Sequence, residues 1–331
     1  MTTATPGRDM MPRILVPLDG SPFSEYALPL AVELARLQGA ELHLVRSHLP
    51  IALMPTPGDF SLPAYEPAWD EESRQASREY LEERASRIRE SGVAARAILL
   101  DGRAARAIEE HIKAEGVTLV VTTTHGRGGI SRVVQGSVVD DLMRLVNIPV
   151  LTLRPSDDAE QRFAPTRLAR ILVALDGSAT AAQALEPAAR MAEITSAKLL
   201  LLHVVTPSAQ VRAADLPDSA SMGNPDTDPL AAAGLAILED AAAPLRARGL
   251  VVETIVRVAP DPADCILTIA TEHDVSCITI ATHGRGGLTR LLFGSVADRV
   301  FRGASQPVMV LRAQEAGSVT DSPQQVELSG A

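Results

Sequence analysis

Short apolar runs alternate with longer amphipathic stretches along most of the chain. In Arg13-Ile14-Leu15-Val16-Pro17-Leu18 everything after the arginine is apolar, which predicts a buried strand. Asp19-Gly20-Ser21-Pro22 follows, with Ser21 placed to cap a helix and Pro22 where a first turn tolerates it. That helix is expected to run to about Leu37 and to stop at Gly39. Further strands are expected over Glu41–Val45, Ala94–Leu100, Val117–Thr122 and Pro149–Leu153. Further helices are expected over Glu71–Ser91, with Tyr80, Leu81, Ala85 and Ile88 inward, over Ala104–Glu115, and from Ser137 to about Leu145. Leu49–Asp70 holds five prolines and reads as a loop.

The same order then restarts. Strands are expected over Arg170–Leu175, Lys198–Val205, Val251–Val258, Val275–Ile280 and Pro307–Leu311. Helices are expected after Ser178, over Leu230–Arg248 and over Ala263–Thr271, and Pro207–Pro229 matches the earlier loop. The organisation expected is a first unit over 1–154 (core 13–154), a linker over 155–169, a second unit over 170–312 and a polar tail over 313–331. Apolar strands alternating with helices imply, in each unit, a parallel sheet covered on both faces.

The most specific pattern occurs twice. Thr124-His125-Gly126-Arg127-Gly128-Gly129 runs into Arg132 and then Gly136-Ser137-Val138; 158 residues later (283 − 125) Thr282-His283-Gly284-Arg285-Gly286-Gly287 runs into Arg290 and then Gly294-Ser295-Val296. The offset persists through Asp140/Asp298, Arg144/Arg302 and Arg154/Arg312. A glycine turn after a strand lets backbone N–H groups converge without Cβ atoms in the way. Gly-Ser then starts a helix, with Ser137 and Ser295 as caps, where unpaired N–H groups favour an anion. Two such surfaces suit the phosphates of a nucleotide. The plainer alternative is that the glycines only turn the chain and the serines only cap helices.

Charge and composition narrow the classes. A net charge of −10 and 3% aromatic residues argue against nucleic acid and anionic membranes as partners. Apolar runs such as Leu199–Leu202 are too short to span a bilayer, and no positive segment followed by an apolar stretch opens the chain, so a cytoplasmic location is expected. Cys265 and Cys277 read as buried free thiols. His43, His48, His111 and His273 have no partner in the other copy and read as surface or packing residues, whereas His125 and His283 read as anchors of the glycine turn. Arg46 and His203 correspond but differ in type, which argues against shared chemistry.

Val16-Pro17-Leu18-Asp19-Gly20-Ser21 opens one copy and Val173-Ala174-Leu175-Asp176-Gly177-Ser178 the other. With His-Gly-Arg-Gly-Gly and the later Gly-Ser-Val, each half resembles a universal stress protein domain of the UspA type, over about 13–154 and 170–312. The resemblance implies an α/β fold of two tandem flavodoxin- or Rossmann-like domains, each a five-stranded mainly parallel sheet with helices on both faces. It further implies ATP, carried with Mg²⁺, held by a G-x2-G-x9-G-[S/T] motif. That motif falls on Thr123, Gly126, Gly136 and Ser137 in one half and on Ala281, Gly284, Gly294 and Ser295 in the other. Its first glycine is replaced in both, by threonine and by alanine, so firmer binding is expected in the second half.

By the same resemblance Asp19 and Asp176 lie beside the adenosine, Pro17 and Ala174 line the adenine slot, and backbone near Ser47 and Val204 reads the base edge. Arg127, Gly129 and Val138, with Arg285, Gly287 and Val296, complete the two sites; Arg127 and Arg285, or Arg132 and Arg290, either meet phosphate, stay solvated in the loop, or pair with Asp140 and Asp298. Gly102 marks the third-strand turn, with Pro260 in its place in the second copy. The function implied is a regulatory nucleotide binder without fast turnover. A scaffold without nucleotide is the second reading, and a slow ATPase or adenylating enzyme the third. Neither Lys113 nor Lys198, the only lysines, follows a glycine-rich phosphate turn. The last strands, Val150–Leu153 and Val308–Leu311, are expected to pair antiparallel and close each other's open edge, and a further homodimer is compatible with that.

Overall fold

A ten-stranded sheet runs through the whole molecule, in the order β3-β2-β1-β4-β5-β10-β9-β6-β7-β8. The computed structural model describes residues 11–49, 67–124, 138–155, 167–207, 229–282 and 294–313. In the first half the strands are β1 (Arg13–Pro17), β2 (Glu41–His48), β3 (Ala95–Asp101), β4 (Leu119–Thr123) and β5 (Val150–Leu153). In the second they are β6 (Arg170–Ala174), β7 (Lys198–Val205), β8 (Val252–Val258), β9 (Cys277–Thr282) and β10 (Val308–Arg312). All pairs within a half are parallel.

The helices are α1 (Pro22–Glu25), α2 (Leu28–Gln38), α3 (Pro67–Glu90), α4 (Ala104–Glu115) and α5 (Val138–Leu145), then α6 (Ala179–Ala182), α7 (Leu185–Thr195), α8 (Pro229–Ala247), α9 (Pro262–Glu272) and α10 (Ser295–Gly303). One apolar layer packs α2, α3, α7 and α8 on one face of the sheet, and a second packs α4, α5, α9 and α10 on the other. Each layer draws residues from both halves, so each hydrophobic core continues across the junction.

The single helix expected from Pro22 to Leu37 is two. Ser21 Oγ accepts from the Ser24 N–H at 3.2 Å and starts α1 as expected. Pro29 then has no N–H to give the Glu25 carbonyl, and α1 ends at Glu25 before α2 begins at Leu28. Pro187 repeats the break between α6 and α7. The Pro-rich stretch also yields to helix earlier than expected, because Pro67 is accepted in the first turn of α3.

The halves meet through their last strands. β5 and β10 pair antiparallel, with Thr152 opposite Val308, Leu151 opposite Met309 and Val150 opposite Val310. Thr152 Oγ1 adds a bond to the Val308 carbonyl at 3.0 Å. Antiparallel pairing reverses one half relative to the other, which brings the C-terminal end of α10 to the rim where the strands of the first half end.

Candidate functional site

Between β1 and β4 the strand order of the first half reverses: the chain builds outward from β1 through β2 to β3, then returns to the other side of β1. Open α/β sheets take ligands in the crevice beyond the carboxyl ends of the strands at such a reversal. A cavity of about 610 Å³ opens there. Pro17, Leu18 and Asp19 line it from the end of β1, Val45, Arg46 and Ser47 from β2, and Thr122, Thr123 and Thr124 from β4. Ala104 and Ile108 come from the start of α4, Val138, Val139, Asp140 and Leu142 from α5, and Phe23 and Ser24 from α1.

Asp19 is fixed by the turn it starts. Its Oδ1 accepts from the Ser21 N–H at 2.8 Å and the Ser21 hydroxyl at 2.6 Å. Burial pushes this carboxyl up, but the bonds from Ser21 and Ser24 outweigh burial and hold it below its ordinary value. Asp176 repeats the arrangement with the Ser178 N–H at 2.9 Å, and it too is held low against burial. Both are therefore carboxylates at neutral pH, acceptors suited to hydroxyl donors.

Arg46 is one of three arginines that line the cavity, with Arg154 and Arg302. The Arg46 guanidinium lies 5.6 Å from the centre of the Tyr80 ring, and that of Arg84 lies 4.8 Å from the same ring. The Tyr80 hydroxyl donates to Glu25 at 2.8 Å, and burial together with that carboxylate raises its pKa well above the ordinary tyrosine value. Gly20 makes room for Arg46: it sits at φ +90°, and a Cβ there would lie 2.8 Å from Nη1. Ser47 is occupied structurally, donating to the Gly102 carbonyl at 2.6 Å.

Of the residues expected in the first site, Pro17, Asp19, Ser47, Thr123 and Val138 line this one cavity. Thr123 is buried on its wall, and the cavity is present with its side chain in place. In the second half Ala174 ends β6, Asp176 follows it, Val204 lies in β7 and Ala281 in β9. Gly294, not Ser295, is the N-cap of α10; Gly294 has the extended backbone of a cap, and no side-chain cap bond forms. Val296 is exposed in the first turn. Gly126, Arg127, Gly129, Gly136, Ser137, Gly284, Arg285 and Gly287, with His125, His283, Arg132 and Arg290, lie outside the described residues. Asp298 pairs with Arg302 on its own helix at 2.9 Å.

The third-strand turn corrects the equivalence of Gly102 with Pro260. The Gly102 N–H bonds the His48 carbonyl, and the Ala259 N–H makes the same bond to Val205. Ala259 is thus the counterpart of Gly102 (259 − 102 = 157), and Pro260 is the extra residue that makes later offsets 158. The sequence reading also missed Arg46, Arg154, Phe301 and Arg302 as cavity residues. The recurrence of Arg154 as Arg312 was visible; that Phe301 and Arg302 reach the first half depends on the antiparallel junction.

The universal stress protein family model matches residues 10–154 and again 168–312. The chain belongs to the universal stress protein family. A universal stress protein of Mycolicibacterium smegmatis is 28% identical over 301 residues, covering 90% of this chain and 96% of its own length. Universal stress protein YxiE of Bacillus subtilis is 33% identical over 148 residues, covering 43% of this chain and 98% of its own. In fold, the chain is similar to the crystal structure of a universal stress protein from Archaeoglobus fulgidus, with a TM-score of 0.64 at 20% identity over 92% of this chain and 97% of that one.

The two universal stress protein halves are not chemically equal at the position of Arg46. Where the first has Arg46, the second has His203, whose Nδ1 bonds the Leu175 carbonyl at 2.8 Å. Gly234 of α8 sits against that ring, and a Cβ there would lie 2.7 Å from it. Among the described residues no helix is long and apolar enough to cross a membrane, and no group of three His, Cys, Asp or Glu is placed to hold a metal. Both cysteines are buried and free.

Proposed function

We propose that the chain is a regulatory adenine-nucleotide binder, taking ATP with its Mg²⁺ in the first-half cavity without rapid turnover. The observation that carries this reading is the cavity of about 610 Å³ at the strand-order reversal, with a carboxylate and an arginine fixed in its wall. Its volume falls within the range of small-molecule sites, roughly 300–1,000 Å³. Asp19 would accept hydroxyl donors of the ribose, Leu18 and Val45 offer apolar contact to a base, and Arg46 offers charge to phosphate or base. The start of α5 faces the same space, where N–H groups favour an anion. The metal would arrive with the nucleotide and screen its phosphates.

Calorimetry on the full chain tests this. ATP with Mg²⁺ should bind, GTP should compete poorly, and Asp19→Ala should weaken binding about tenfold, as expected for loss of a charged hydrogen bond. No heat and no retention at millimolar ATP would sink the proposal. It would favour a scaffold without ligand, a reading supported by the structural uses already made of Asp19 Oδ1, Asp176 Oδ1 and the Ser47 hydroxyl.

A further inference from the structure

The first-half cavity has a wall that the first half does not supply. Phe301 and Arg302, from the last turn of α10 in the second half, line it beside Asp140 and Leu142. Arg154, the residue after β5, holds that helix end in place. Its Nη1 donates to the Arg302 carbonyl at 2.7 Å and the Ala304 carbonyl at 3.0 Å, and its Nη2 to the Phe301 carbonyl at 2.9 Å. Helix C-termini carry unsatisfied carbonyls and partial negative charge, so a cation there both satisfies and neutralises them. Arg312 makes the mirror contact to the Arg144 carbonyl at the end of α5. Each half therefore reaches across the junction and caps the other's last helix.

Two consequences meet in the cavity. The clasp removes the negative pole that α10 would otherwise present to an anionic ligand. It also fixes the backbone of Arg302, whose side chain is 57% exposed and is paired only to Asp298 among the described residues, at 2.9 and 3.0 Å. We propose that the ligand of the first cavity is held by both halves at once: Arg302 of the second half supplies charge to an anion bound mainly on the first, so that occupancy reinforces the junction. This rests on the adenine-nucleotide reading above and adds to it a second-half contact and a coupling between halves. A ligand that touches both sides of a junction stabilises that junction by linkage.

The test uses the full chain with the second half weakened at Asp176, the counterpart of Asp19. In the Asp176→Ala background, where the first cavity is unaltered, Arg302→Ala should weaken binding of Mg-ATP about fivefold by calorimetry, a loss discounted for solvent exposure. Arg302→Lys, which keeps the charge, should recover most of that loss, a rescue that a merely structural role of the side chain would not give. Asp298→Asn, which releases Arg302 from its own helix, should tighten first-site binding. Equal affinity with and without Arg302 in a chain that binds ATP would overturn the shared wall and leave the nucleotide reading intact. Absence of any ATP binding by the unaltered chain would overturn both.

Discussion

His43 has no accessible surface, and its ring sits between a carboxylate and a second imidazole. Nε2 meets Glu41 at 3.1 Å and Nδ1 meets His111 Nε2 at 2.9 Å. One proton on each ring satisfies the chain of contacts, with His43 donating to Glu41 and His111 donating to His43. A second proton on both rings would set two N–H groups against each other. Burial lowers the pKa of both rings, and in His43 it outweighs Glu41. Arg13, Arg96 and Glu115 complete the charged surroundings. A ring whose folded pKa lies below its ordinary 6.5 favours the neutral form. The stability it contributes is then whole above about 6.5 and is lost as pH falls toward the folded value, by up to about 1.4 kcal/mol per pH unit for each ring. Thermal melting should therefore be steady from pH 8 to 7 and decline below 6.5. In the second half the equivalent positions are Leu200 and Ile269, both buried. The double change His43→Leu with His111→Ile should flatten that decline, and an unchanged pH profile would refute the assignment. Nothing in the sequence marks this pair, since the two rings lie 68 positions apart and meet only when α4 packs on β2.

At the scale of elements, strands and helices were legible wherever side-chain character and backbone agreed. Lys198–Val205 is apolar almost throughout, and β7 has those bounds. Its counterpart β2 continues three residues beyond Val45, because Arg46, Ser47 and His48 keep the backbone ladder to Leu99, Leu100 and Asp101 while their polar side chains serve the cavity and α3. Polar residues at a strand end look like a loop until the cavity is seen. Val117 and Val275 mislead in the opposite sense. Each is a buried apolar residue closing the helix before it, by N–H bonds to Ile112 and Ala270, and the strand starts later. The paired helices α2 and α7 offer a direct comparison. Both end in a left-handed residue, Gly39 at φ +61° and Ser196 at φ +55°. A side chain is strained there by about 1 kcal/mol, so Ser196→Gly should raise the melting temperature by a few degrees and Gly39→Ser should lower it similarly. No change in either variant would refute the strain assigned to a side chain at these two helix ends.

For the molecule as a whole, the repeat in the sequence announced two α/β units, and the open edge of each sheet announced their pairing. The geometry of the cavity was less accessible, because a wall built from both halves has no trace in either copy alone. The junction rests on β5 and β10, on α2 against α7, and on the crossed arginine caps. Introducing a protease site between Pro155 and Arg167 and cutting there should accordingly leave the two fragments together in gel filtration at micromolar concentration. Fragments that elute separately would show that the intervening chain, not the sheet, holds the halves. With the chain intact, association is a first-order event whose extent is set by the tether. Severed halves would part on dilution, and Phe301 and Arg302 would leave the first cavity with them. The covalent duplication makes the composition of that wall independent of how many copies of the protein are present, so the shape of the cavity is a property of each molecule.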